Sequence, residues 1–348
     1  MHQSSGCQIR PSVRPTYLPR LVNDPFQDPA LFIPFLFEKR ALLFDMGNLN
    51  RLPPREILKI THGFVTHTHM DHFAGFDRLL RLFLDRSKSL HLFGPAQFLQ
   101  NIEGKLTGYT WNLITSNTDR FVLTATEVHA DHALTQVYPS RNAFRPSESA
   151  HKRPFDGTLI NEPAFSVHTI HLDHQIPCLA FMLKEKFHVN IMKDRVKGLN
   201  IPLGPWLRRF KDALYKREDP EKNFQIAWEE KGRAKKADFT LADLAQQIAR
   251  VTPGQKIVYI VDVIFSSENA EKIIRFSHHA DHLFIEAAFL DAQADLARKK
   301  YHLTARQAGT LAKKAGVKRF TLFHFSPRYG KSPHLLQQEA LEAFRKAD

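Results

Sequence analysis

One short segment of the chain carries four side chains of types that bind metal ions: His67, His69, Asp71 and His72. Imidazole and carboxylate groups suit zinc and similar divalent ions, and this spacing can present all four from one tight loop. An apolar run at 62–66 precedes the segment, and apolar residues at helical spacing follow it at 76–84. The segment would therefore follow the end of a strand, which would fix the direction of its side chains. Histidines that occur together on a surface by chance would not need such a position.

Four ligands cannot complete a catalytic site with two metal ions, because each ion takes about three protein ligands and a water molecule. Candidates for the remaining positions accompany other predicted strands: His174, Asp262 and His324. Asp262 lies within a strand predicted at 256–265, where a carboxylate is costly unless it is paired or bound to a metal. His171 is the main alternative to His174 as the third ligand.

The elements that must position these residues alternate along the chain. Strands are predicted at 41–44, 62–66, 90–93, 121–126, 165–171, 179–183, 256–265, 283–289 and 319–325. Helices are predicted at 76–84, 207–216, 269–276 and 304–315, and from Ser332 onward. Strands that alternate with helices indicate a layered α/β architecture.

The composition is that of a globular protein. Its 348 residues suffice for one large domain or two ordinary ones, and 43% of them are hydrophobic. No apolar run approaches the roughly 20 residues that a membrane-spanning helix needs. Two cysteines, Cys7 and Cys178, are too few for a disulfide framework or a thiolate zinc site. We therefore expect a cytoplasmic protein.

The charge of the chain points to a polyanionic partner. The formal net charge is +13 and the sequence pI is about 9.7, and Lys and Arg bind phosphates independently of sequence. From Lys184 to Lys236, 15 Lys and Arg stand against 8 Asp and Glu, a net charge of +7. This stretch contains a turn signal at 202–205 before the basic helix at 207–216. We interpret about 185–240 as an inserted basic arm.

The N-terminal segment lacks acidic residues up to position 23 and contains Arg10, Arg14 and Arg20. This composition is found in transit peptides, but prolines at 11, 15 and 19 would break the amphipathic helix that such a peptide needs. We therefore predict a loose N-terminal arm at 1–24, followed by a single domain at 25–348 with the inserted basic arm.

Several segments together resemble one known family. His67 to His72 resembles the HxHxDH motif of the metallo-β-lactamase superfamily. Three further segments resemble metal-binding motifs of ribonuclease Z, the tRNA 3′-processing endonuclease: 173–181, 260–262 and 322–329. Three others resemble its proton-relay motifs and the Gly-Pro segment of its tRNA-gripping arm: 286–288, 302–304 and 200–205. The resemblance covers roughly 41–330.

The resemblance implies a fold and a ligand set. The fold would be an αββα sandwich of two mixed sheets flanked by helices, with the basic arm inserted. The centre would hold two divalent metal ions, with zinc as the expected metal. One ion would be bound by His67, His69 and His174, the other by Asp71, His72 and His324, and Asp262 would bridge them: these seven are the expected ligands.

The resemblance also implies a reaction and a partner. A metal-activated water would attack phosphorus in a tRNA precursor, with Asp71 as proton acceptor. Glu286 would orient His302, which would protonate the leaving 3′ oxygen. The expected substrate contacts are made by four further residues: Ser326, Arg328, Gly204 and Pro205. We also expect a homodimer.

The chain departs from the family pattern at three places, of which the first bears on recognition of the RNA end. The family opens with a glycine-rich loop after its first strand, whereas 21–34 contains no glycine. The first relay motif normally begins with a histidine, and this chain has Ile285 there. Met70 stands where a glycine usually precedes Asp71.

Two other functions compete with the endonuclease. A hydrolase of the same fold could act on a small phosphodiester, sulfate ester or lactone, but such a substrate has no use for an arm of charge +7. An RNA-binding protein with a degenerate metal site would not need seven ligands. Two further clusters have metal-binding composition but match no family motif, and we expect neither to be catalytic: His129, Asp131 and His132, and His278, His279, Asp281 and His282.

Overall fold

The computed structural model describes residues 15–84, 86–114, 120–146, 148–230 and 232–346. The chain forms two compact units. The larger unit consists of Tyr17–Asn161, Ser166–Lys184 and the chain from Lys256 onward, and the smaller one contains Glu162–Phe165 and Glu185–Gln255. Thr16 also belongs to the smaller unit.

The elements follow one another as strands interrupted by helices. The strands are β1 (Arg20–Leu21), β2 (Leu31–Pro34), β3 (Ala41–Phe44), β4 (Ile60–Phe64), β5 (Ser89–Gly94), β6 (Val122–Val128), β7 (His132–Pro139), β8 (His151–Pro154), β9 (Thr158–Asn161), β10 (Phe165–Asp173), β11 (Pro177–Glu185), β12 (Phe187–Ile191), β13 (Asn223–Glu230), β14 (Arg233–Thr240), β15 (Ala249–Pro253), β16 (Lys256–Ile260), β17 (His282–Glu286) and β18 (Phe320–Phe323). The α-helices are α1 (Pro54–Ile57), α2 (Met70–Phe73), α3 (Phe76–Phe83), α4 (Phe98–Thr107), α5 (Lys193–Gly198), α6 (Trp206–Lys216), α7 (Leu241–Ile248), α8 (Ser267–Ser277), α9 (Ala294–Lys300), α10 (Ala305–Lys314) and α11 (Pro333–Arg345).

The larger unit contains two mixed sheets. The first has the order β1-β2-β3-β4-β5-β6-β7-β8, and β3 to β6 run parallel to one another. The second has the order β18-β17-β16-β11-β10-β9, in which β16, β17 and β18 are parallel. Because carboxyl ends of parallel strands meet at one edge of a sheet, residues that follow these strands lie close together.

Aromatic rings fill the space between the two sheets. Phe44 of β3 stacks on Phe181 of β11 at 5.5 Å between centroids and lies 5.9 Å from Tyr259 of β16. Helices cover the outer faces, where α3 buries Phe76, Leu79, Leu80 and Phe83 against the first sheet, and α10 buries Ala308 and Leu311 beside the second. This arrangement is the expected αββα sandwich.

Three strands of the second sheet end earlier than the sequence predicts. The strands predicted at 256–265, 283–289 and 319–325 are observed as β16, β17 and β18. The placement of Asp262 inside a strand is therefore wrong, since β16 ends at Ile260. Asp262 and His324 have φ values of 51° and 59°, and this left-handed conformation ends the strand pairing.

The smaller unit contains the predicted arm. β12 pairs with β15, β13 pairs with β14 in a hairpin, and α5, α6 and α7 complete the unit. Its core is separate and includes Trp206, Phe210, Ile226 and Leu244. The unit extends to Gln255, beyond the predicted end near residue 240. The basic stretch is therefore folded around a core of its own.

The predicted loose arm at 1–24 lies partly outside the described residues, which begin at position 15. Arg20–Leu21 pairs with β2, and Tyr17 is buried, so the ordered sheet begins before the predicted boundary at residue 25. Among the described residues, no helix combines the length and the apolar character needed to span a bilayer.

Candidate metal centre

The expected ligands meet at the edge of the larger unit where several strands end. His67 to His72 follow β4, His174 follows β10, Asp262 follows β16 and His324 follows β18. Asp262 lies at the middle of the cluster. Its Oδ2 is 3.3 Å from His67 Nε2, 3.2 Å from His72 Nε2 and 3.6 Å from His174 Nε2, and its Oδ1 is 3.0 Å from His324 Nδ1.

Three overlapping groups of side chains have ligand atoms within 4.8 Å of one another; the third joins Asp262 and His324 to Glu286 and His302, and the other two consist of expected ligands alone. One group contains His67, His69, His174 and Asp262. The other contains Asp71, His72 and His324, with His324 Nε2 3.3 Å from Asp71 Oδ2. This division matches the expected ligand sets of two metal ions. The assignment of each residue to an ion stays a prediction.

Unpaired buried atoms fit the presence of metal ions. His72 Nε2, Asp262 Oδ1 and His324 Nδ1 are buried and close to oppositely charged neighbours, yet none of the three atoms forms a hydrogen bond of acceptable geometry. Such atoms are rare in folded proteins because leaving them unpaired costs free energy. Divalent ions at the centre of the cluster would satisfy all three, so the residues present fit the ions that the resemblance implies.

The protonation states of the histidines also fit metal binding. Burial lowers the pKa of His67, and it lowers the pKa of His174 to about 4, so both rings are neutral and can act as ligands. Burial also lowers the pKa of His72, but the carboxylates of Asp45 and Asp262 outweigh it and raise that pKa. A cation at His72 Nε2 would interact with the same negative charges as a proton.

Asp45, which has no predicted role, orients the cluster. This fully buried side chain accepts the Thr66 backbone N–H at 2.7 Å and the Tyr259 hydroxyl at 3.0 Å, and its Oδ2 lies 2.8 Å from His72 Nδ1. Fixing Nδ1 of His72 leaves Nε2 free to bind a metal. Asp45 directly follows β3, so the rule that selected acids at strand ends would have found it.

His174 is fixed in the same manner by the backbone. Its Nδ1 lies 3.0 Å from the carbonyl oxygen of Tyr301, which leaves Nε2 facing Asp262. The alternative ligand, His171, instead faces the carbonyl oxygen of Val128 at 3.4 Å and belongs to neither group. His174 is therefore the residue that the structure brings to the cluster.

Glu286 and His302 form a pair beside the metal ligands. Glu286 is fully buried, and it accepts the Val263 backbone N–H at 2.7 Å while its other oxygen lies 2.9 Å from His302 Nδ1. Burial lowers the pKa of His302, but the charges of Glu286 and Asp262 outweigh it and raise the pKa to about 9. His302 is thus protonated at neutral pH and can donate a proton.

Asp71 is partly exposed to solvent, and its pKa is strongly shifted. Burial raises its pKa, but hydrogen bonds with His324 and His72 outweigh burial and hold that pKa well below its usual range. Its side chain is 43% exposed, so the carboxylate reaches solvent while it faces the cluster. A Cβ at Gly47 would lie 2.5 Å from the backbone oxygen of Asp71, so only glycine permits this close approach.

The predicted substrate contacts belong to two different units. Ser326 and Arg328 line a cavity together with Asp71, His302 and His324. Gly204 and Pro205 instead belong to the smaller unit, at the start of α6. Ile285 is a core residue of β17, and Met70 is 84% exposed at the first position of α2.

Neither alternative histidine cluster forms a metal site among the described residues. In the first, His129 pairs with Glu127 at 2.8 Å, and His132 pairs with Asp131, whose side chain is 86% exposed. In the second, Asp281 accepts the Lys256 backbone N–H, and His282 Nε2 lies 2.8 Å from the hydroxyl of Thr321. These contacts give the clusters structural roles.

Comparison with known proteins identifies the fold and the family of the chain. No known protein-family model matches it. Among solved structures, it resembles the metallo-β-lactamase fold protein YhfI from Bacillus subtilis with a TM-score of 0.51 and 16% identity, over 91% of this chain and 86% of that one. The chain thus has the metallo-β-lactamase fold, with a cluster of histidines and aspartates suited to metal ions at its strand ends.

Sequence relatives narrow this class to one family. The chain is 30% identical over 314 residues to ribonuclease Z of Deinococcus radiodurans, covering 89% of this chain and 90% of that protein. It is 28% identical over 317 residues to ribonuclease Z of Latilactobacillus sakei, covering 87% and 83%. The chain belongs to the ribonuclease Z family.

Proposed function

We propose that this protein is an endoribonuclease that removes the 3′ trailer from precursor tRNA. One observation carries the proposal: His302 lies 3.6 Å from Asp262 and 2.9 Å from Glu286, at the edge of the metal-ligand cluster. A hydrolase whose leaving group is an alkoxide needs a proton donor in this position, because the 3′ oxygen of a ribose leaves poorly without a proton.

The two ligand groups support two divalent ions per chain, and imidazole with carboxylate ligands favours zinc. Metal ions in such a site activate water for attack on phosphorus and stabilise the charge that develops there. The protein supplies the geometry: Asp45 and the Tyr301 carbonyl group orient His72 and His174, so the ligands do not have to reorganise.

In the proposed reaction, a bond to water forms on one side of the phosphate and the bond to the 3′ oxygen breaks on the other side. Water forms a new bond to phosphorus and loses a proton to Asp71. Because the pKa of Asp71 is low, we expect that proton to pass on to solvent, which the half-exposed carboxylate reaches. The bond from phosphorus to the 3′ oxygen breaks, and that oxygen leaves with the electron pair and takes a proton from His302. The products are a tRNA 3′ hydroxyl and a trailer 5′ phosphate.

The smaller unit supplies the surface that we assign to the body of the tRNA. Arg208 and Lys216 are exposed on α6, which directly follows Gly204 and Pro205. Arg209 differs, because it donates to the Gln225 carbonyl group and covers the Phe224 ring at 5.4 Å. Exposed cations of this kind bind phosphates and position a nucleic acid without reading its sequence.

Cleavage of a precursor tRNA with a 3′ trailer is the direct test of the function. Freshly purified protein should contain close to two metal equivalents and should cut at the 3′ side of the acceptor stem. A chelator should abolish cleavage, and added zinc should restore it. Protein that holds near zero metal after metal-replete growth, or that hydrolyses only small phosphodiesters, would contradict the proposal. The cytoplasmic location and the homodimer remain predictions beside it.

The arm makes a separate prediction. Replacing Arg208 and Lys216 by glutamine should raise KM for precursor tRNA and leave hydrolysis of a small phosphodiester unchanged. The logarithm of affinity falls as the logarithm of salt concentration rises. Each lost phosphate contact should make this slope shallower by about 0.7–0.9. Asp212→Asn, an uncharged replacement on the exposed part of the same helix, is the matched control and should not weaken binding. An unchanged salt slope in the double variant would count against the arm as a tRNA-binding surface.

A further inference from the structure

Tyr259 brings a hydroxyl group into the aromatic layer between the two sheets. It belongs to β16 and is fully buried, with its ring stacked on Phe323 at 5.1 Å and 5.9 Å from the ring of Phe44. Phenylalanine would make the same ring contacts, whereas a buried hydroxyl costs free energy unless it forms a hydrogen bond. The Tyr259 hydroxyl forms one, because it donates to Asp45 Oδ2 at 3.0 Å.

The two oxygens of the Asp45 carboxylate have different partners. Oδ1 accepts the Thr66 backbone N–H at 2.7 Å, while Oδ2 accepts the Tyr259 hydroxyl and lies 2.8 Å from His72 Nδ1. The Thr66 hydroxyl is 3.0 Å from both oxygens and can donate to either. The backbone N–H and the Tyr259 hydroxyl therefore fix one oxygen each, and together they set the rotation of the carboxylate.

The rotation of this carboxylate bears on metal binding by His72. Without the Tyr259 hydroxyl, the carboxylate is anchored at Oδ1, and the Thr66 hydroxyl is free to compete with His72 for Oδ2. A histidine that binds a metal through Nε2 needs an acceptor for its Nδ1–H, because that second partner orients the ring and raises its basicity. The Tyr259 hydroxyl therefore acts on His72 through Asp45.

We propose that Tyr259 is a positioning residue for one of the two metal ions, the ion expected at Asp71, His72 and His324. Its hydroxyl holds Asp45 Oδ2 toward His72 Nδ1, which keeps His72 Nε2 directed at Asp71, 3.4 Å from its Oδ2. The inference rests on the two-ion centre of the proposed function and adds to it a residue that is not itself an expected ligand.

The other ion should depend less on the Tyr259 hydroxyl. His67, one of its expected ligands, is connected to Asp45 through Thr66, whose hydroxyl lies 3.0 Å from His67 Nδ1. Thr66 also holds Asp45 Oδ1 through its backbone N–H, a bond that loss of the Tyr259 hydroxyl leaves in place. The structure therefore predicts unequal effects on the two ions, which a general loss of packing would not produce.

Zinc binding by Tyr259→Phe tests this role. Metal-free wild type titrated with zinc, in competition with a chromophoric chelator, should give two dissociation constants. The variant should raise one of them about 10- to 100-fold, the range for loss of a partner that orients a ligand, and leave the other nearly unchanged. Because phenylalanine keeps the ring contacts, the packing between the sheets should be preserved, and excess zinc should restore the wild-type kcat on precursor tRNA.

Two further variants assign the effect to one ion. Asp71→Ala is expected to retain only the other ion, so adding Tyr259→Phe to it should not change the affinity for the ion that remains. Tyr138→Phe is the matched control, because Tyr138 is also fully buried and donates to a carboxylate, that of Glu103, at 2.9 Å. It should keep both zinc dissociation constants. An equal loss for both ions in Tyr259→Phe, or the same loss in Tyr138→Phe, would refute the role through Asp45.

Nuclear magnetic resonance tests the orientation independently of zinc affinity and turnover. In protein saturated with zinc, the Nδ1–H proton of His72 should exchange slowly with water in the wild type and faster in Tyr259→Phe, because one fewer donor holds its acceptor. Equal zinc dissociation constants, or equal exchange rates, in the two proteins would overturn the role of Tyr259. Failure of the wild type to cut any precursor tRNA would overturn the proposed function, while the zinc measurements would still decide the role of Tyr259.

Discussion

Replacing Asp71 by alanine should lower kcat on precursor tRNA by about 10⁴-fold, the upper end of what proton transfer by a positioned side chain contributes. The reason is that Asp71 serves two purposes. It is one of the three side chains in the Asp71, His72 and His324 group, and it accepts the proton of the attacking water. Metal analysis should show a fall from two equivalents towards one.

The fold should survive this change, because the Asp71 side chain is 43% exposed and its ion pairs are with His72 and His324 of the cluster. Circular dichroism and thermal unfolding should resemble those of the wild type. The matched control is Asp77→Ala on the neighbouring helix α3, where the side chain is 42% exposed and pairs with Lys105. It removes a carboxylate of similar exposure and should keep normal activity. Near-normal turnover of Asp71→Ala on every substrate would refute both roles.

Replacing His302 by alanine should have the second largest effect and should depend on the leaving group. On precursor tRNA, loss of the proton donor should lower kcat about 10²- to 10⁴-fold. On bis(p-nitrophenyl) phosphate the effect should be much smaller, because p-nitrophenolate leaves without a proton. Damage to the metal ligands would lower kcat on both substrates alike. The ratio of the loss on precursor tRNA to the loss on bis(p-nitrophenyl) phosphate therefore measures protonation of the leaving oxygen.

Glu286→Gln provides the companion measurement. Glu286 is a positioning residue, since its carboxylate orients His302 Nδ1 and raises the pKa of that ring. The glutamine can still accept the Val263 backbone N–H but lacks the charge that keeps His302 protonated. We expect a smaller loss than for His302→Ala, with the same dependence on the leaving group. Equal losses on both substrates in either variant would remove His302 from the role of proton donor.

Local sequence determined much of the metal centre. His67 to His72 are close in the chain, so their spacing alone brings four ligand types to one loop after β4. His174 and His324 could be found because each stands at the end of an apolar run, and Asp262 because a carboxylate is costly within an apolar strand. The same apolar runs predicted nine of the eighteen described strands and five of the eleven described α-helices, since periodicity depends only on neighbouring side chains.

The sequence pattern could not predict the backbone conformation at the strand ends. Asp262 was expected inside a strand, yet it lies beyond β16 with a φ of 51°. Residues other than glycine adopt this conformation at a cost, so surrounding contacts must hold it. Those contacts come from distant positions, such as the cluster of histidines around the carboxylate. No local propensity could therefore have indicated the turn.

Partners from distant parts of the chain decided the remaining features. Asp45 gains its role from Tyr259, 214 positions away, and from His72. His174 lies in the cluster and His171 does not, and the His174 ring is fixed by the Tyr301 carbonyl group, 127 positions further along the chain. The cavity exists because the segment around Phe26 packs on Phe325 beside His324. Residue types and local spacing determined which groups could do chemistry, whereas long-range packing decided which of them are oriented, because orientation depends on hydrogen bonds that only the folded chain can form.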